Sequence, residues 1–179
     1  GEQVGKHFAK EIADAVRQMR QEPITGQTWE QMLESTKQYW ERAQEGYPFV
    51  IEEITGVAQG ANVDPFELYT YMVEEIWVTP VQEARACSDI IITAPLTDGR
   101  VIVGHNNDVS PAMKRLIFPV EWSFDDGSTV LIVGPLGFYV SVCINNFGIA
   151  LTGNELTPTD KKIGIPRATI ARAILSGRN

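Results

Sequence analysis

Histidine and cysteine are scarce in this chain: 179 residues hold two of each, His7 and His105, Cys87 and Cys143. Two cysteines are too few for a disulfide framework and lack metal-ligand spacing, so the thiols read as reduced and no metal is expected. Long apolar runs are missing as well. No stretch approaches the roughly 20 residues that span a bilayer, and the opening GEQVGKHFAKE lacks the charged-then-apolar order of a signal peptide. Basic clusters are absent too. Lys and Arg number 15 against 23 Asp and Glu, a formal net charge of −8, so neither nucleic acid nor an anionic membrane is an expected partner. These absences leave a soluble protein whose expected compartment is cytoplasmic. What is present, 44% hydrophobic and 21% charged residues, suits one ordinary globular domain with a sizeable core.

Helical periodicity fills the first half. Phe8, Ile12, Val16 and Met19 share one helix face. Thr28 and Gln31 form a capping-box pattern ahead of Trp29, Met32, Leu33, Thr36 and Trp40, and Gly46 and Pro48 stop that helix. A third run keeps Val50, Ile54 and Val57 together. A fourth starts at Asp64-Pro65 and faces Leu68, Met72 and Ile76 inward. Four helices are expected before Pro80.

Beyond Pro80 the texture turns to short β-branched runs. DIIITA and RVIVGH flank Asp98-Gly99, a dipeptide suited to a tight hairpin turn, which sets Cys87 and Asp108 at the two open ends of one hairpin. RLIFPVEWSF, STVLIVG, FYVSVCIN and GIALTGN continue the pattern, so about six strands in antiparallel meander order are expected, closed by a helix from Pro166 to Gly177. Cys143, between Val142 and Ile144, reads as an inert core residue, and the four tryptophans as core or pocket wall.

Cys87 poses the chemical question. A free thiol titrates near about 8.5 and needs a base or a nearby positive charge to act as a nucleophile at neutral pH. His105, on the return strand, is one candidate. Another arises if the Ala86–Cys87 bond is cut, because the freed α-amine titrates at about 7.7–8.0 and belongs to the nucleophile's own residue. Such a site also calls for a carboxylate to orient the ammonium, a task that suits Asp108. It further needs donors for a tetrahedral oxyanion, with Asn106 and Asn154 as candidates.

The order of these features resembles the acyl-coenzyme A:6-aminopenicillanic acid acyltransferase family, the isopenicillin N acyltransferases, within the N-terminal-nucleophile hydrolases. VGKHFAKEI is similar to that family's opening Gly-x-x-His motif, and PFVIEEITGVAQGANVDPFEL to its pro-segment. ACS resembles the Gly-Cys-Thr of its processing site, DGRVIVGHNND its strand ending in Asn-x-Asp, and NNFGIALTGNEL with GIPRATIARAIL its Asn-x-x-Gly strand, asparagine and following helix. The resemblance implies an α+β protein, an N-terminal-nucleophile αββα sandwich made by self-cleavage between Ala86 and Cys87. It divides the chain into a helical pro-segment or α subunit, residues 1–86, and the start of a β subunit, residues 87–179. The implied reaction passes an acyl group from an amide to water or an amine through a Cys87 thioester.

In that scheme Cys87 is the nucleophile, Asp108 contacts its amine, and Asn154 lies near the oxyanion or substrate. His105 stands where related choloylglycine hydrolases have arginine, Asn106 supports Asp108, and Asn106 and Asn107 line the substrate. The implied partners are a small amide or acyl substrate, acyl-coenzyme A among the donors, and the α and β pieces of one precursor. No cofactor is implied, and homo-oligomerisation is left open. Three departures qualify the scheme: Ala86 replaces the usual glycine, Asn107 replaces the tryptophan of fungal members, and family chains run further, so the chain is expected to be a fragment. The alternative expectation is a catalytically silent homologue that keeps its pro-segment and serves as a binding or assembly module.

Overall fold

A computed structural model describes residues 1–23, 26–77, 87–109, 111, 113–154 and 162–178. Ala86, and with it the expected boundary between α and β pieces, lies outside the described residues. The architecture is mixed α+β, with helices on one side of an antiparallel sheet and a separate two-stranded hairpin.

The expected first helix is in fact two, α1 (Glu2–His7) and α2 (Ala9–Gln21), separated where Phe8 leaves helical geometry at φ −105°, ψ 23°. That break turns the Phe8 ring into the core, 4.7 Å from the Phe118 ring. α3 (Trp29–Gly46) begins with the expected capping box: Thr28 Oγ1 accepts from the Gln31 amide at 3.3 Å, and the Gln31 side chain accepts from the Thr28 amide at 2.9 Å. α4 (Pro48–Ala61) ends at Asn62 in the left-handed region, φ 55°. Asp64 caps α5 (Pro65–Met72) by accepting from the amides of Phe66 and Glu67 at 2.9 and 3.0 Å. Val73 then departs from helical geometry, and a single turn, α6 (Glu74–Trp77), follows. Six helical elements therefore stand among the described residues of the first half where periodicity predicts four, because a face repeat does not reveal one-residue breaks.

α1 and α4 cross with their backbones in contact. A Cβ built on Gly5 would lie 2.0 Å from the Val57 carbonyl oxygen, and one on Gly60 would lie 2.2 Å from the Glu2 carbonyl oxygen. Neither obstacle is a side chain that can rotate away, so glycine is required at this crossing.

Six strands appear among the described residues, in two sheets. β1 (Cys87–Ile92) pairs antiparallel with β2 (Ile102–Asn107). β3 (Ile117–Ser123), β4 (Thr129–Pro135), β5 (Val142–Asn145) and β6 (Ala150–Leu151) form a meander in that order. The hairpin connection is longer than a two-residue turn: it spans 93–101, with Asp98 and Gly99 at the expected positive φ of 49° and 82°. Pro95 has no N–H to extend the ladder, and two successive turns close by Leu96 N–H to Thr93 O and Arg100 N–H to Thr97 O.

In the four-stranded sheet, alternate residues divide the faces. Trp122, Val130, Ile132 and Cys143 point into the helical layer and are buried, whereas Leu131, Val133 and Ile144 point outward with 37–45% of their surface exposed. The last helix, α7 (Arg167–Ile174), ties the two halves of the chain together. Arg172 grips Glu53 of α4 with two hydrogen bonds of 2.8 and 2.5 Å, the Arg167 side chain reaches Glu74 at 2.9 Å, and the Arg167 amide donates to Glu75 at 2.7 Å. Among the described residues no helix is long and apolar enough to cross a membrane.

Replacing Gly60 by alanine is expected to lower unfolding free energy by about 1–3 kcal/mol, read as a fall in the urea midpoint at unchanged slope. Gly26, whose φ is positive but whose added Cβ meets nothing, is the control for conformational strain alone.

Candidate active site

Strand pairing assembles the site. The register sets Cys87 opposite Asn107, Ser88 opposite Asn106 and Asp89 opposite His105. Because side chains alternate between faces, Cys87 and Asp89 of β1 share one face of the hairpin with His105 and Asn107 of β2, and Asn106 lies on the other.

On that face the Cys87 thiol, partly exposed, donates to Asn107 Oδ1 at 3.5 Å, and Asn107 Nδ2 donates onward to Ser141 Oγ at 3.3 Å. Ser141 is fixed by the loop between β4 and β5, which lies so close to the sheet that a Cβ on Gly134 would sit 2.1 Å from the Tyr139 carbonyl oxygen. The neighbouring cross-strand pair joins an imidazole to a carboxylate. His105 Nδ1 lies 2.6 Å from Asp89 Oδ1, the imidazole side chain being 5% exposed and the carboxylate 22%. Asp89 Oδ2 accepts from Asn154 Nδ2 at 2.7 Å, which draws the residues after β6 onto the hairpin. The hydrogen bond from His105 is the main reason that the Asp89 carboxyl titrates below its ordinary range, and bonds from Thr152 and Asn154 and the His105 charge act in the same direction against a smaller desolvation penalty.

Four of the expected site residues, Cys87, His105, Asn107 and Asn154, thus meet on one side of the hairpin. Asp108 follows β2, and its Oδ1 accepts from Asn106 Nδ2 at 2.9 Å, the supporting contact expected of Asn106. Cys143 has the inert environment expected of it: buried, with its thiol pushed up to about 12 by desolvation. Asn145, in the Asn-x-x-Gly segment, is a structural clasp. Its amide donates to the carbonyls of Leu175 and Gly177, and its Oδ1 accepts from the amides of Phe147 and Ile149.

Sequence reasoning missed Asp89, Thr152 and Ser141. A signal for Asp89 existed: it is two residues from Cys87, hence on the same strand face, and it is the one charge in the strand CSDIII. Nothing local marks Ser141 or Thr152, whose roles arise only once the two sheets meet.

A cavity of about 380 Å³, lined by Phe49, Glu53, Phe124, Arg172 and Arg178 among others, opens at the end of the four-stranded sheet opposite Ser141. Its guanidinium groups are already engaged by Glu53 and Asp126, and the hydroxyls of its two serines, Ser128 and Ser176, donate to Asp126 and to the Ala173 carbonyl. Among the described residues no three His, Cys, Asp or Glu side chains converge as metal ligands. No protein-family model matches the chain, and no curated protein matches it.

Two measurements check this environment. Iodoacetamide applied to the native protein is expected to label Cys87 and spare Cys143, read by peptide mass after digestion. The side-chain carboxyl carbon of Asp89 is expected to titrate with a midpoint below the ordinary value of about 3.9, and His105→Gln to move it upward. Since the folded value is the lowered one, the stabilisation that Asp89 provides is complete above its unfolded range and fades as pH falls through the folded midpoint.

Proposed function

We propose that the chain is the precursor of a self-processing cysteine amidohydrolase or acyltransferase of the N-terminal-nucleophile kind, similar to the isopenicillin N acyltransferases. The observation that carries the reading is the partly exposed Cys87 sulfur at the first position of β1, hydrogen-bonded to Asn107 on the face that also presents His105, Asp89 and Asn154. The helical layer on one side of the sheet, with apolar Leu131, Val133 and Ile144 uncovered on the other, is in keeping with half of an αββα sandwich.

Cleavage between Ala86 and Cys87 turns an amide nitrogen into an amine that can accept the thiol proton, and Asp108, steadied by Asn106, holds the resulting ammonium. The thiolate then attacks the carbonyl of a small amide or acyl substrate, the amine leaves with the proton, and water or a second amine releases the acyl group from the thioester. Acyl-coenzyme A is a suitable donor, since it delivers the same thioester. Two side-chain amides stand ready for the oxyanion. Among the described residues, Asn107 and Asn154 each donate one of the two hydrogen bonds that a side-chain amide can give, to Ser141 and Asp89 respectively.

The test is intact mass and N-terminal sequencing of the purified protein. A species beginning at Cys87 is expected, absent from Cys87→Ala, with the piece ending at Ala86 still bound through the shared core and the Glu53–Arg172 pair. A wild-type chain that remains whole under conditions where it is folded would overturn the reading.

A further inference from the structure

The proposed cut contains a chemical gap. The α-amine that serves as base in turnover does not exist until the peptide bond before Cys87 is broken, and an amide nitrogen is no base. The first proton must therefore go elsewhere. We propose that Asp89 is a positioning residue that fixes the His105 imidazole as the proton acceptor for the Cys87 thiol while the Cys87 nitrogen is still part of the chain; this rests on Cys87 being the nucleophile proposed above.

Three observations carry the assignment. His105 lies directly across the ladder from Asp89 and one diagonal step from Cys87 on the same face, a separation that an imidazole spans directly or through one water. Its Nδ1 is bound to Asp89 Oδ1 at 2.6 Å, so the proton of the neutral ring resides on Nδ1 and the lone pair is left on Nε2. Asp89 is itself immobilised, with Oδ2 held by Asn154 at 2.7 Å. The same bond to Asn154 that steadies the carboxylate also holds the residues after β6 against the hairpin, so the pair is fixed from both sides.

The step balances without an outside oxidant or reductant. The thiol proton passes to His105 Nε2 as the sulfur bonds to the carbonyl carbon preceding Cys87. The carbon–nitrogen bond then breaks, and the departing nitrogen takes the proton back from Nε2. Water hydrolyses the resulting thioester to a carboxylic acid and restores the thiol.

Asp89→Asn tests this in the purified chain. Asparagine can donate to Nδ1 and so forces the proton onto Nε2, the wrong tautomer. Self-cleavage, and iodoacetamide labelling of Cys87 in the uncut chain at pH 7, are each expected to slow by about tenfold or more. The imidazole nitrogen resonances of His105 are expected to change from the Nδ1–H to the Nε2–H pattern. His105→Gln should slow both reactions to a similar degree, which covers the case in which Asp89→Asn fails to fold. Rates within about twofold of wild type in either folded variant, or an unchanged tautomer in Asp89→Asn, would overturn the assignment. Cleavage that persists in Cys87→Ala would instead sink the proposed function, a result separable from an Asp89 variant that cuts at the normal rate.

Discussion

The register of one hairpin decides whether this molecule has a site. Antiparallel pairing of Cys87 with Asn107 and of Asp89 with His105 puts sulfur, imidazole, carboxylate and amide on a single face, and a slip by one residue would send one strand's set to the opposite side. A two-stranded ribbon is marginal by itself in water, so the register needs outside support. Among the described residues, polar contacts to segments flanking the larger sheet supply it, Asn107 to Ser141 and Asp89 to Asn154. The groups that suit chemistry thus also locate the hairpin.

The helical layer supports this arrangement through different physics. Glycines bring α1 against α4 with no side chain between them, and the compact layer then covers the inner face of the meander, where Trp122, Val130 and Ile132 are buried. Arg172 is enclosed between the Phe49 and Phe124 rings and bonded to Glu53, which joins the first half of the chain to the second by a charge pair removed from water. Breaking one partner of such a pair costs far more than the intact pair contributes, so it enforces specificity of docking more than it adds stability.

How far could this be read from residues alone? Capping signals were explicit: Thr28 with Gln31 and Asp64 with Pro65 begin α3 and α5 where the pattern places them. The six strands are legible in β-branched runs and in Asp-Gly, Asn and Gly punctuation, but not their division: the expected single meander is split, with β1 and β2 apart from β3–β6. The breaks at Phe8 and Val73 were hidden, because a residue that leaves the helix for one step still keeps its place in the hydrophobic period. The place of Asp89 follows from strand alternation, which makes the second neighbour of Cys87 its companion on one face, whereas the hairpin pattern by itself points from Cys87 to Asp108. Ser141 and Thr152 depend on contacts between sheets, information that no local pattern carries.

The outward face of the meander has a practical consequence. Leu131, Val133 and Ile144 form an apolar surface on a folded protein, and environment-sensitive dyes that brighten on such surfaces will fluoresce with the native state. For this chain a bright dye signal is therefore no sign of a molten or damaged sample, and loss of structure has to be followed by the near-ultraviolet bands of Trp29 and Trp122, which are held in rigid surroundings.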